Sequence, residues 1–211
     1  NCLLFTSYLK SLDLNAIMID TRDIIITDET YGNALVYFPE SYQKIKERFH
    51  NLDSIPIITG FIASSKINTT TTLGRNGSDF TASLIAAGIS AKEIEIWTDV
   101  DGVLSADPHM VENAFVISKM SFQEAMELSY FGAKVIHPYT MIPAVEENIP
   151  ICIKNTLNPT TPGTIIAREG EVRKRTITGI ASIENVALIN IEGSGMIGVP
   201  GTASRVFTAL A

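Results

Sequence analysis

Apolar positions along the 211-residue chain recur with two different periods. Short β-branched runs at 16–19, 24–26, 55–59, 94–98, 151–154 and 164–167 predict strands. Longer amphipathic stretches at 1–12, 42–51, 79–87, 122–130 and 139–148 predict helices. Strand–helix alternation of this kind argues an α/β fold with a largely parallel sheet. A charged run at 167–175 interrupts the pattern and reads as a linker over 168–176. A second unit is expected to begin at Ile177, with a strand at 187–191, a glycine-rich loop and a helix at 203–211. The roughly 35 residues after the linker are too few to bury a core of their own. Helical patterns that start and stop without caps predict that the chain is a piece of a longer polypeptide.

Composition narrows the class. The chain is 45% hydrophobic and 18% charged, which supports a sizeable core and excludes disorder throughout. A formal net charge of −7 argues against nucleic acid or an anionic membrane as partner. No apolar run approaches the ~20 residues of a membrane span. Two cysteines, Cys2 and Cys152, make no disulfide framework, and a reducing cytosol is the expected compartment.

Three loops carry candidate chemistry. The first, 72–79, reads Thr-Leu-Gly-Arg-Asn-Gly-Ser-Asp and opens a predicted helix. Its glycines let backbone N–H groups approach an anion, and the helix end adds partial positive charge. Arg75 has the fork geometry for a carboxylate or phosphate. The competing reading makes Ser78 or Asp79 a helix N-cap and the glycines an ordinary turn. The loop is not a Walker A sequence, because no Gly-Lys-[Ser/Thr] follows. The second loop, Trp-Thr-Asp-Val-Asp-Gly at 97–102, ends a strand at the sheet edge where α/β proteins bind ligands. Asp101-Gly102 also fits a simple turn. The third, Phe-Gly-Ala-Lys at 131–134, places Lys134 where it reaches a phosphate or complements a helix end.

Other motifs fall away. Gly193, Gly195 and Gly198 match a dinucleotide fingerprint, but Val199-Pro200-Gly201 delays the helix that the fingerprint should open. His50, His109 and His137 form no zinc spacing with the cysteines, no metal site is expected, and His137-Pro138 reads as turn or packing work. No Gly-x-Ser-x-Gly nucleophile elbow occurs.

Taken in order, the segments 71–79, 96–103, Asp107-Pro108 and 131–138 resemble the aspartokinases. Asn76, and the segments 121–130 and 153–159, are similar to the bifunctional aspartokinase–homoserine dehydrogenases. The resemblance implies a three-layer amino-acid-kinase fold over 1–167 and the start of an ACT regulatory domain over 177–211. It implies ATP, with Mg2+, as phosphoryl donor to the L-aspartate β-carboxylate, the first step toward lysine, threonine and methionine. On this resemblance Arg75, Asn76, Gly77 and Ser78 line the aspartate site, and Asp79 and Lys134 are catalytic. Thr98, Asp99, Asp107 and Lys134 hold the nucleotide. An amino-acid feedback effector and a homo-oligomer built through kinase and ACT domains are also implied. The family's Lys-Phe-Gly-Gly-Thr-Ser motif is absent, and Leu104 and His109 stand where some members carry nucleotide-binding Tyr and Arg. The 211 residues by themselves are therefore expected to be inactive. Two other readings remain: a noncatalytic effector-binding or assembly fragment, and a nicotinamide-binding segment resting on Gly193–Gly198 alone.

Overall fold

The structure is a computed structural model that describes residues 1–130, 137–170, 177–183, 187 and 201–210. Helix α1 (Cys2–Ser11) leads into β1 (Ala16–Ile19), a 3-10 turn (Thr21–Asp23) and β2 (Ile26–Thr27). Helix α2 (Phe38–Phe49) precedes β3 (Ile55–Ile58), β4 (Ile62–Ser65) and β5 (Thr70–Thr72). Then come α3 (Gly77–Ile89), β6 (Ile94–Thr98), β7 (Lys119–Ser121) and α4 (Phe122–Tyr130). A second 3-10 turn (Pro138–Met141), α5 (Ile142–Glu146), β8 (Ile151–Asn155), β9 (Thr164–Ala167) and α6 (Thr202–Leu210) complete the described elements.

The α/β class is as expected, and β1–β3, β2–β4, β6–β8 and β7–β9 pair in parallel. Instead of one ladder, the described strands form three: β1-β3, β2-β4-β5 and β6-β8-β9-β7. The β4–β5 and β8–β9 pairs are antiparallel.

Local sequence explains where the elements differ from the expected ones. The apolar triplet at 24–26 is mostly the buried exit from a 3-10 turn, because Asp20 accepts from the Arg22 amide and starts that turn. Only Ile26 of the triplet lies in a strand. Helix α2 starts four residues before the expected 42, with Pro39 in its first turn, where a missing N–H costs nothing. The expected helix at 139–148 splits into a 3-10 turn and α5, since Pro138 and Pro143 each begin one of these pieces. Strands β4, β5 and β7 escaped the periodicity because their sequences, Ile-Ala-Ser-Ser, Thr-Thr-Thr and Lys-Met-Ser, carry too few apolar residues to show a period. The expected strand at 187–191 and the Gly193–Gly198 loop lie outside the described residues, apart from Ala187.

Helix α3 organises the interior. Expected to be amphipathic, it is buried nearly all round, including Phe80, Thr81, Ser83, Leu84, Ile85, Ala86 and Ala87. Phe80, Leu84 and Ile85 belong to a core with Ile19, Ile25, Ile45 and Ala63. Ala86 joins a second core with Ile94, Met120, Ile151, Ile153 and Ile166. One helix therefore joins the β1–β3 side of the fold to the β6–β8 side.

Residues 177–183 are tied to earlier parts of the chain. The Ile180 amide donates to the Ser105 carbonyl at 2.8 Å. Thr178 Oγ1 donates to Glu124 Oε1, while Glu124 Oε2 accepts from the Ser121 amide at the start of α4. Ser121 and Glu124 form a capping box, so the same glutamate caps a helix and ties down Thr178. No helix among the described residues is long and apolar enough to cross a membrane.

Candidate active site

The first loop is shaped by backbone geometry. Gly74 has φ +76°, and Asn76 follows in the left-handed region at φ 55°, ψ 29°. Asparagine tolerates that region better than other side-chain-bearing residues, which accounts for Asn at a position where glycine would also serve. The bend starts α3 at Gly77, two residues before the expected start. Neither Ser78 nor Asp79 is the N-cap: Asn76 occupies that position and makes no side-chain cap bond. Both lie in the first turn, among N–H groups that lack full partners within the helix.

A strand end meets this turn. Thr59 and Gly60 follow β3, and the Phe61 amide donates to Thr81 Oγ1 at 3.1 Å. Thr81 Oγ1 in turn donates to the Gly77 carbonyl at 2.8 Å, so the turn after β3 is pinned to the first turn of α3. A Cβ at Gly60 would stand 3.1 Å from Ser78 Oγ, so a side chain there would push Ser78 back by a few tenths of an ångström. A cleft of about 450 Å³ opens here and runs along α3. Thr59, Gly60, Ser78 and Thr81 line one end, and Glu93 lies at the other. Edge strands β3 and β6 both border the cleft, and each has one ladder neighbour among the described residues.

Charge around the start of α3 is set up asymmetrically. Arg75 is exposed and takes part in no ion pair or hydrogen bond among the described residues. Asp79 is half-buried. Burial pushes its carboxyl above the ordinary carboxylate range, and the Asn76 amide, 3.4 Å away, partly offsets this. A guanidinium free to bind an anion thus stands four residues from a carboxylate short of solvation.

The second loop returns to the same edge. Helix α3 runs from this edge to a short turn, where the Ala91 amide donates to the Ala86 carbonyl, and β6 runs back. Thr98 and Asp99 therefore end their strand on the side where Ser78 and Asp79 begin their helix. Thr98 Oγ1 lies 3.1 Å from Asp99 Oδ1, and Asp99 is exposed. Asp107 is exposed and caps the next turn, accepting from the His109 amide at 2.9 Å. Lys134 lies outside the described residues, as does Gly132. The chain that follows is anchored: His137 Nδ1 accepts from the Tyr139 amide, and the Tyr139 ring packs on Phe80 of α3 at 5.1 Å. His137 does turn work, as its sequence setting implied.

Sequence reasoning missed Thr59, Gly60 and Thr81, although a glycine directly after a parallel strand was a usable signal. It also missed what Asp101 and Asn155 do. Cys2 and Cys152 are free thiols; burial first, then the charge of Glu93, pushes the Cys152 thiol up and makes it a poor nucleophile.

A parallel-stranded α/β unit with an anion-ready helix start and a strand-end loop on the same side has the features of a ligand-binding edge. The chain belongs to the amino acid kinase family, whose profile matches residues 1–155. It is 49% identical over 195 residues to the bifunctional aspartokinase/homoserine dehydrogenase 2, chloroplastic, of Arabidopsis thaliana, covering 89% of this chain and 21% of that protein. Among solved structures it resembles E. coli aspartokinase III in complex with aspartate and ADP, with a TM-score of 0.76 and 36% identity over 81% of this chain and 39% of that one. The same enzyme in complex with lysine and aspartate gives 0.73 and 31%, over 99% of this chain and 47% of that one. The chain thus spans about a fifth of the length of the Arabidopsis protein and less than half of the E. coli chains.

Proposed function

We propose that the chain supplies the substrate and nucleotide loops of an aspartate kinase, which transfers the γ-phosphoryl group of ATP to the β-carboxylate of L-aspartate. The observation that carries the reading is the shared edge: Arg75, Ser78 and Asp79 at the start of α3, with Thr98 and Asp99 at the end of β6. The resemblance to an aspartokinase crystallised with aspartate and ADP supports it.

In this reading Arg75 pairs with a substrate carboxylate, and Asn76, Gly77 and Ser78 shape the aspartate pocket against the Gly60 turn. A β-carboxylate oxygen attacks the γ-phosphorus; the bond from phosphorus to the β–γ bridging oxygen breaks, and ADP leaves with the electron pair. The nucleophile is already an anion, so no proton need be removed. The work of the protein is positioning and charge stabilisation. Asp79 orients the cationic groups around the transferring phosphoryl, with Lys134 as its partner there. Thr98, Asp99 and Asp107 hold the nucleotide. Mg2+ arrives with ATP and neutralises phosphate charge. Among the described residues no group of three or more His, Cys, Asp or Glu could hold a metal ion.

Residues 177–211 begin a regulatory ACT unit, following a linker at 168–176, that binds an amino-acid effector and contributes to a homo-oligomer. The free thiols are consistent with a reducing compartment such as the cytosol. The test is hydroxylamine trapping of acyl phosphate formed from ATP by the polypeptide carrying this chain. Aspartyl hydroxamate, lost in Asp79→Ala, is expected. Trapped product from glutamate or another acceptor, with none from aspartate, overturns the assignment.

A further inference from the structure

The turn after β6 is braced by a residue to which the proposed function gives no role. We propose that Asp101 is a positioning residue that clamps the loop bearing Thr98 and Asp99 to the turn after β8, and so sets nucleotide affinity. The inference rests on the nucleotide reading of Thr98 and Asp99 and adds the device that holds them in place.

Asp101 Oδ1 accepts from two asparagines of the neighbouring turn, Asn155 Nδ2 at 2.8 Å and Asn158 Nδ2 at 3.3 Å. Asn155 ends β8 directly beside Thr98, its partner in the parallel register. It is only 8% exposed, so its amide depends on Asp101 for a partner. Its other side-chain atom, Oδ1, accepts from the Leu157 amide at 2.8 Å, which fixes the amide orientation. The Thr156 amide donates to the Thr98 carbonyl at 2.8 Å. The two turns are thus joined by a backbone bond at Thr98 and by a charge-assisted side-chain pair three residues on.

The far side of the loop is equally constrained. Gly102 has φ +141°, a conformation that side chains rarely adopt. A Cβ there would lie 2.5 Å from Thr164 Oγ1 and 2.8 Å from Val116 Cγ1. Thr164 is fully buried; its hydroxyl accepts from the Val103 amide at 2.8 Å and donates to the Ile117 carbonyl at 2.6 Å. Asp101 therefore stands between a strand end and a locked glycine. Its carboxylate points into the protein toward Asn155, and Asp99 two residues earlier is left exposed.

Two substitutions separate positioning from bulk. Asp101→Ala removes the acceptor and orphans the Asn155 amide. Asp101→Asn retains an Oδ1 that accepts from both asparagines. The chain has a single tryptophan, Trp97, adjacent to Thr98, and it reports locally by energy transfer to N-methylanthraniloyl-ADP. Asp101→Ala should weaken binding of that probe tenfold or more, and Asp101→Asn should restore it to within threefold of wild type. Asn155→Ala should match Asp101→Ala, and the double variant should lose no more than either single one. Should Asp101→Ala fail to fold, Asn158→Ala, at an exposed site, should still weaken the probe two- to threefold. Wild-type binding that survives in Asp101→Ala or Asn158→Ala, or an additive double variant, overturns the clamp and leaves the nucleotide reading standing. Absence of energy transfer in the wild type overturns the nucleotide reading and the clamp with it.

Discussion

Around the start of α3, backbone geometry does the shaping: Gly74, left-handed Asn76 and the bare backbone of Gly60 bend the chain, and the side chains of Arg75 and Ser78 remain available. At the end of β6, side chains do it: Asp101, Asn155, Asn158 and Thr164 cross-brace two turns. The first loop keeps its hydrogen-bonding capacity for something outside the chain. The second spends most of its capacity on itself and exposes Asp99 and, in part, Thr98. A substrate whose charge changes during transfer needs free donors close to the reacting group, whereas a nucleotide held for its shape needs a rigid wall. The difference in construction accords with the two jobs proposed for the loops.

Breaking the first loop should cost activity more than stability. On the proposed function, Asp79→Ala in the polypeptide carrying this chain is expected to lower kcat by about a hundredfold or more, through loss of an interaction made in the transition state. Stability should move the other way. The folded-state pKa of Asp79 is raised by burial, so the folded state holds this proton more tightly than the unfolded state does. The resulting penalty is absent below the unfolded pKa and grows as pH rises through the folded value. At neutral pH, Asp79→Asn should therefore raise Tm by about 1–3 °C. A thermal melt at pH 7 and at pH 4 checks this, with the gain shrinking at the lower pH.

Arg75→Ala should weaken L-aspartate binding by about 10–100-fold with little change in nucleotide affinity, as measured by calorimetry with each ligand. Because Arg75 is exposed and unpaired among the described residues, Tm should stay within about 1 °C.

The second loop should show the opposite balance. Thr164→Val keeps the shape but leaves the buried Val103 amide and Ile117 carbonyl without their partner. A loss of about 1–3 kcal/mol in denaturant unfolding is expected, together with weaker nucleotide binding.

The smallest effect concerns residues 177–183. Thr178→Val removes the bond to Glu124 but spares the capping box at Ser121. It should cost no more than about 1.5 kcal/mol and should raise amide exchange at Ile180, whose partner is Ser105. Unchanged exchange there would show that Thr178 does not hold the segment in place.

Much of this was legible before the structure. The strands at 16–19, 94–98 and 164–167 and helix 122–130 match the described elements, because each is long or clearly bounded and its period is unmixed. Helix α3 was found, but not its buried surround; apolar residues on all sides erase the periodic signal that marks a face. The site loops stood out as glycine and acidic clusters. The cross-bracing did not, because Asp101 meets Asn155 at a sequence separation of 54 and nothing local announces that pairing. The pinning of Gly60–Phe61 by Thr81 was invisible for the same reason: it depends on how a strand and a helix pack.

The most direct test of the two-loop account is amide hydrogen exchange on the wild-type chain with MgADP and with L-aspartate added separately. The account predicts that L-aspartate protects the amides of 75–79 and that MgADP protects those of 98–103 and 155–158. Protection of 98–103 by aspartate and of 75–79 by the nucleotide, or protection of neither loop by either ligand, would contradict it.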